Sequence, residues 1–414
     1  MKLHDSIEHL FRHEYGKITA ALTSKFSSYQ IDLIEDAVQE ALLKAMKLWS
    51  FQEMPENPSA WLYRVASNHL IDQLRRAKKS VEYDFPEDFL ITENAYNDSS
   101  ILSGIKDEQL KMIFACCHPV LTDAEQIMLS LKLISGFSIK EISSALLKKE
   151  DAVKKATTRA KLKFKNEIGK IEIPNERELN QRLSSVLKII YLMFNEGYKS
   201  TEGETLVKKD ICFEAIRLAE ILTEHKTCDA PQLNALLSLM CFNAARFEAR
   251  INEAGELVTL ENQNRDLWDE ELINAGMYYL DKSSTGMILS QYHLEAGIAS
   301  LYTTSKNFES TNWQTILNLY DLLIIHNNSS IAALNRLVVY EKINGAEKAL
   351  EEIKKIENEE SLLSNHLYYS IKADFKKNAG YINEAKELLT KAIQTTSNKI
   401  EKKFLQKKLS ELPE

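Results

Sequence analysis

Apolar residues recur at helical spacing along most of the chain. In 31–49, IDLIEDAVQEALLKAMKLW, the residues Ile34, Ala37, Val38, Ala41, Leu42, Ala45 and Trp49 form one stripe. In 59–79, Leu62, Ala66, Leu70 and Leu74 step by four, so one side of that helix packs. Residues 136–165 read GFSIKEISSALLKKEDAVKKATTRAKLKFK and predict two short helices about a polar break. Ser138 is the N-cap of the first, and Glu141 completes a capping box. Ile139, Ile142, Ala145 and Leu146 share its inner face; Lys148, Lys149 and Glu150 make the turn. Val153, Ala156, Ala160 and Phe164 face inward on the second.

Beyond residues 171–178 helix follows helix: 180–196, 209–224, 231–249, 268–281, 287–302, 312–326, 331–343, 345–357, 363–379, 381–395 and 399–411. Breaks fall at Gly203, Pro231, Gly286, Gly345 and Gly380. INEAGELVTLENQ, at 251–263, alternates about a glycine and predicts a small hairpin. Gly345 and Gly380 each separate two helices, and small residues at Ala373, Ala385 and Ala392 let paired helices approach, as in TPR-type hairpins. The fold class expected is all-α.

Composition sharpens this. Only 12 glycines and 7 prolines interrupt 414 residues, as a mostly helical chain requires. The formal charge of −8 argues against a protein that coats DNA uniformly, but the charge is sorted along the chain. Residues 61–79 hold five Lys/Arg against one acid, and 148–165 hold eight against two. Between them, 82–108 holds eight acids and one lysine and reads as an acidic linker. The boundaries expected are 1–80, a linker at 81–108, 109–170, and a helical extension over 171–414. The N-terminus lacks the apolar run of a signal peptide and no stretch is long enough to span a membrane, so a cytoplasmic protein is expected. The five cysteines (Cys116, Cys117, Cys212, Cys228, Cys241) form no C-x-x-C pair, and buried reduced thiols are expected rather than a metal site. No cofactor is expected.

Three surfaces carry candidate chemistry. Lys154, Lys155, Thr158 and Lys165 face outward on the second short helix, flanked by Arg159 and Lys161. Alone they suit a solvated lysine face; with the capped first helix and the three-residue turn they suit phosphate and base-edge contacts in a major groove, and Leu162 among them does not fit cleanly. On 31–49, Asp36, Gln39 and Glu40 surround Leu43 on the face opposite the core stripe, which suits a basic partner with an apolar contact. On 59–79, Asn68, Asp72, Arg75 and Arg76 gather beside the proline-punctuated loop 50–58, which carries Phe51. That pairing could hold a DNA strand and a flipped base.

In order, these stretches resemble a known family. DAVQEALLKAMKLW with WLYRVASNHLIDQLRR is similar to region 2 of extracytoplasmic-function sigma-70 factors, and LTDAEQIMLSLKLISGFSIKEISSALLKKEDAVKKATTRAKLKFK to their region 4. IYLMFNEGYKSTEGETLVKKDICFEAIRLAEIL, ENQNRDLWDEELI, ALNRLVVYEKINGAEKALEEI and FACCHPVLT resemble the subgroup with a long TPR-like C-terminal extension. The resemblance implies a region 2 bundle, a region 4 helix-turn-helix and a TPR-like domain. It implies that Asp36, Gln39, Glu40 and Leu43 dock on the clamp helices of core RNA polymerase. Phe51, Trp61, Asn68, Asp72, Arg75 and Arg76 would recognise and open the −10 element of promoter DNA, and Lys154, Lys155, Thr158, Arg159 and Lys161 would read the −35 element. The acidic extension would regulate activity or bind a protein partner. Enzyme motifs are missing. An operator-binding dimeric regulator remains the alternative, with a pure helical scaffold behind it. Asn195–Tyr198 is expected to end a helix, with Gly197 as its C-cap; Arg246, Arg250, Arg265 and Trp268 cluster near the expected hairpin without an assigned chemistry.

Overall fold

The computed structural model describes residues 3–78, 99–146, 148–168, 171–199, 209–327, 329–356, 362, 365–396 and 398–413. Among them are eighteen α-helices and no strand, so the chain is all-α. It divides into two compact units, Met1–Leu192 and Met193–Glu414.

The first unit opens with α1 (Leu3–Phe26), α2 (Ile31–Trp49) and α3 (Pro58–Lys78). The predicted stripes meet in one core: Ile34, Ala37, Val38, Ala41 and Ala45 of α2 pack with Leu62, Ala66, Leu70 and Leu74 of α3, and α1 adds Tyr15, Ile18 and Leu22. Next come α4 (Ser99–Cys116), α5 (Asp123–Leu129), α6 (Ile139–Leu146) and α7 (Glu150–Lys163). Helix α4 starts inside the segment read as linker, whose residues 81–98 lie outside the described ones. A π-helical turn, Ser130–Ile134, extends α5 and crosses α1 at Gly16. A Cβ there would sit 1.7 Å from the Ile134 carbonyl oxygen, so only glycine allows the approach.

The predicted capping box on α6 is present: the Ser138 N–H donates to Glu141 Oε2 at 2.7 Å, and the Glu141 N–H donates to Ser138 Oγ at 3.2 Å. A second box, Thr122 with Glu125, starts α5. Val153, Ala160 and Phe164 are buried, as the spacing predicts.

Helix α8 (Glu176–Lys199) runs across the division between units, followed by α9 (Lys209–Thr223) and α10 (Pro231–Ala244). Then come α11 (Glu270–Ser283), α12 (Gln291–Thr304), α13 (Trp313–Asn327), α14 (Ser330–Asn344), α15 (Ala346–Ile353), α16 (His366–Asn378), α17 (Ile382–Thr395) and α18 (Lys399–Ser410). Their cores hand over in sequence. One joins Leu294, Ile316 and Val339; the next joins Leu337, Ile353 and Phe375; the last joins Ala373, Ala385, Ala392 and Leu405. Each helix pair buries its apolar face on its neighbour, the logic of a helical repeat. Gly345 and Gly380 hold left-handed backbone at the joints, φ +86° and +87°.

Two expectations are corrected. The 251–263 segment closes a turn about Gly255 with a single bridge, Ile251 to Leu257, and forms no strand pair. Gly197 is not a C-cap: α8 continues to Lys199 because Arg250 Nη1 donates to the Tyr198 carbonyl at 3.1 Å, satisfying a helix-end acceptor from outside.

Candidate polymerase and nucleic-acid interfaces

Helix α2 buries one side in the bundle and turns the other outward. Asp36 and Gln39 are exposed, Glu40 is half-exposed, and Leu43 at their centre keeps 50% of its surface open. Met46, one turn on, is exposed too and widens the apolar spot; its place three residues after Leu43 was the available signal. Glu40 and Lys44 form a loose surface pair at 3.9 Å, worth little against a partner that would replace it.

The adjoining loop presents Phe51 with 91% of its surface open. Its backbone is anchored, since the Phe51 and Gln52 N–H groups both donate to the Leu48 carbonyl at 3.1 and 2.9 Å. Asn57 starts α3 by accepting from the Ala60 N–H at 3.0 Å. Asn68, Asp72, Arg75 and Arg76 are all exposed on α3, and Asp72 reaches Arg75 only at 4.0 Å. Trp61 is half-buried, with its ring 5.4 Å from that of Trp49 against the bundle core. It therefore braces the loop more than it presents a free face.

Lys154, Lys155, Thr158 and Arg159 stand exposed on α7. The Thr158 hydroxyl donates to the Lys154 carbonyl at 2.9 Å, which leaves its oxygen as an acceptor. Leu162 is exposed beside them. Lys161 departs from the expected arrangement. It does not stand on the outer rim but turns back onto α2, where its Nζ pairs with Glu35 and, at 3.4 Å, with Asp32. Lys165, expected to face outward, likewise turns back to pair with Asp32, and Lys163 pairs with Glu125 at 2.8 Å. The lysines at the end of α7 thus hold the unit together, while those at its start face solvent.

Glu35 explains this. It is only 4% exposed, on the edge of the apolar stripe of α2. A carboxylate there needs partners. Tyr15 Oη donates to it at 3.0 Å, and Lys132 Nζ lies at 3.6 Å alongside Lys161. Burial, then the Glu35 charge, pushes the Tyr15 phenol well above its ordinary value. Burial alone would raise Asp32, but Lys165 and Lys161 outweigh it and hold that carboxyl low. Glu35 and Lys132 were missed in the sequence because their partners lie far apart in the chain; the one signal was an acid beside Ile34.

FACCHPVLT forms a corner between α4 and α5. Arg182 Nη2 of α8 donates to the Phe114 carbonyl at 2.6 Å, and His118 Nδ1 accepts from the Val120 N–H at 3.2 Å. All five cysteines are free and buried, as expected. Burial pushes the thiols of Cys117, Cys212 and Cys241 up to about 12. No helix among the described residues is long and apolar enough to cross a membrane.

The sigma-70 region 2 family matches residues 10–80, the α1–α3 bundle, and a family of unknown function (DUF6596) matches residues 182–284. Over 388 residues the chain is 32% identical to the uncharacterized protein R00370 of Rhizobium meliloti (strain 1021), covering 92% of this chain and 90% of that protein. Over 175 residues it is 26% identical to the RNA polymerase sigma factor YlaC of Bacillus subtilis (strain 168), covering 41% of this chain and 96% of that protein. No solved structure matches. Over almost its whole length the chain belongs to one family with R00370, and the bundle that displays these two outward faces is the part that matches sigma-70 region 2.

Proposed function

We propose that this chain is an RNA polymerase sigma factor of the extracytoplasmic-function type, with a TPR-like C-terminal domain that regulates it. One observation carries the reading: the region 2 match falls on a bundle whose acidic-apolar face on α2 and polar-basic face on α3 are open at the same time. Asp36, Gln39, Glu40 and Leu43 dock on the clamp helices of the polymerase largest subunit. Phe51, Asn68, Asp72, Arg75 and Arg76, with Trp61 bracing the loop, capture unstacked bases of the −10 element. Stacking on an aromatic ring offsets unstacking, at roughly 1–3 kcal/mol per base. Helices α6 and α7 act as a helix-turn-helix in which Lys154, Lys155, Thr158 and Arg159 read the −35 element. Lys161 contributes there only if its pairs with Glu35 and Asp32 open.

The cationic surface on α7 is small, so affinity of the isolated chain for DNA is modest and falls with salt. Polymerase supplies most of the nonspecific binding, and this chain supplies selection. The test is run-off transcription from a promoter library with core enzyme, with and without the chain. New, discrete start sites support the reading; an unchanged transcript set refutes it.

A further inference from the structure

The turn after α10 gathers three arginines that share no ion pair with a carboxylate; Glu309 reaches Arg265 only through its charge. Arg246, Arg250 and Arg265 are each half-buried there. The Asp269 N–H donates to the Ala245 carbonyl at 2.9 Å, which ties the Arg265–Leu267 turn to the end of α10 and brings Arg265 close to Arg246. Arg246 Nη2 donates to Tyr198 Oη at 2.9 Å and to Asn243 Oδ1 at 3.1 Å. The Arg250 guanidinium stacks on the Tyr198 ring at 3.8 Å, and that of Arg265 on the Trp268 ring at 4.5 Å. Arg265 Nη1 donates to the Tyr302 carbonyl at 3.3 Å and to that of Ser305. Every acceptor the three arginines use is neutral: a phenol, an amide and backbone carbonyls. Arg75, Arg217 and Arg336, by contrast, each pair with a carboxylate.

Like charges gathered out of water repel and lose solvation. Burial, and after it the Arg246 charge, works against the charge on Arg265 and outweighs the smaller opposing pull of Glu309. Burial would raise the Tyr198 phenol, yet Arg246 and Arg250 together hold it below its ordinary value. Two donors in the same cluster are also unmet: Arg246 Nε and Trp268 Nε1 are buried without an acceptor, and Trp268 is only 6% exposed. Buried donors are seldom left so. Positive charge with unmet N–H groups is the complement of an oxyanion, and the planar guanidinium fork suits phosphate in particular.

We propose that Arg246, Arg250, Arg265 and Trp268 form a binding site for a phosphoryl group, carried as the free ion or on a small metabolite. The ligand accepts from Arg246 Nε–H and Trp268 Nε1–H and neutralises the guanidinium cluster. This goes beyond the sigma-factor reading and does not depend on it.

The test uses the full chain with inorganic phosphate, a small phosphate ester (glycerol phosphate) and succinate, at constant ionic strength. Calorimetry and thermal unfolding read the result. Saturable one-to-one binding of phosphate or its ester, with a higher unfolding temperature, is expected. Tighter binding of the ester places the group on a metabolite; tighter binding of inorganic phosphate makes the ion the ligand. Trp268→Phe, which keeps the ring and removes only the N–H, is expected to weaken binding about tenfold. Arg246→Gln is expected to abolish it. Should Arg246→Gln fail to fold, Trp268→Phe carries the same test. No saturable binding to the wild type, tighter binding of succinate than of phosphate, or wild-type affinity in Trp268→Phe overturns the proposal.

Discussion

At the scale of single residues, Glu35 organises the first unit. It is buried, and Tyr15, Lys132 and Lys161 all reach it. Glu35→Ala would strand Lys132 and the Tyr15 phenol and leave Lys161 with Asp32 alone, and denaturant unfolding should show a loss of about 3–5 kcal/mol. Leu43→Ala, on the exposed face of the same helix, should change stability by less than about 0.5 kcal/mol and weaken capture by core polymerase instead. Acid acts through carboxyls held low. Asp32 is lowered against burial by Lys165 and Lys161, and Glu125 against burial by Lys163 and Thr122. A depressed carboxyl stabilises fully above its unfolded value and loses that contribution as pH falls through the folded one. Melting temperature should therefore hold down to about pH 4–4.5, the ordinary carboxylate values, and drop below it. A flat profile between there and pH 2 would count against these pairs. The outward residues of α2 and α3 were legible because a helix with one apolar stripe fixes what the opposite side shows. Lys161 was not, since its acid partners come from α2, more than a hundred positions earlier.

At the scale of elements, periodicity and breakers located the helices well. Pro231, Gly345 and Gly380 stand at helix boundaries, and the Ser138 box begins α6 as read. Local signals failed where a distant group settled the outcome. Gly197 looked like a cap, but Arg250 meets the helix end and Phe194 and Tyr198 stack near Phe247, so α8 carries on. The turn at Gly255 lacks a second bridge because the chain then enters short 3₁₀ turns rather than a paired strand. The crossing of α1 over the Ser130–Ile134 turn was invisible in the sequence, yet it has a sharp consequence. Gly16→Ala should cost at least about 2 kcal/mol, because backbone must move to admit the methyl group. On α7, Lys154→Ala should weaken promoter binding evenly across −35 sequences and lower the salt slope by about one. An effect confined to particular sequences would instead make Lys154 a base reader.

At the scale of the whole molecule, the chain joins a sigma-70 region 2 bundle and its companion helices to a second helical unit with its own successive cores. The all-α class was legible throughout, since helical spacing and scarce breakers leave no room for a sheet. What the second unit does was not, because a repeat fixes packing faces and leaves the exposed ones free to vary. Truncation after Lys199 should alter promoter-specific transcription by the first unit if the second regulates it; equal transcription in every condition would remove that role. The central claim rests on initiation itself. Purified full-length chain mixed with core RNA polymerase should co-elute at one-to-one stoichiometry and produce run-off transcripts from discrete start sites, with Leu43→Ala losing both. Failure to bind core enzyme, or binding without any new start site, would contradict it.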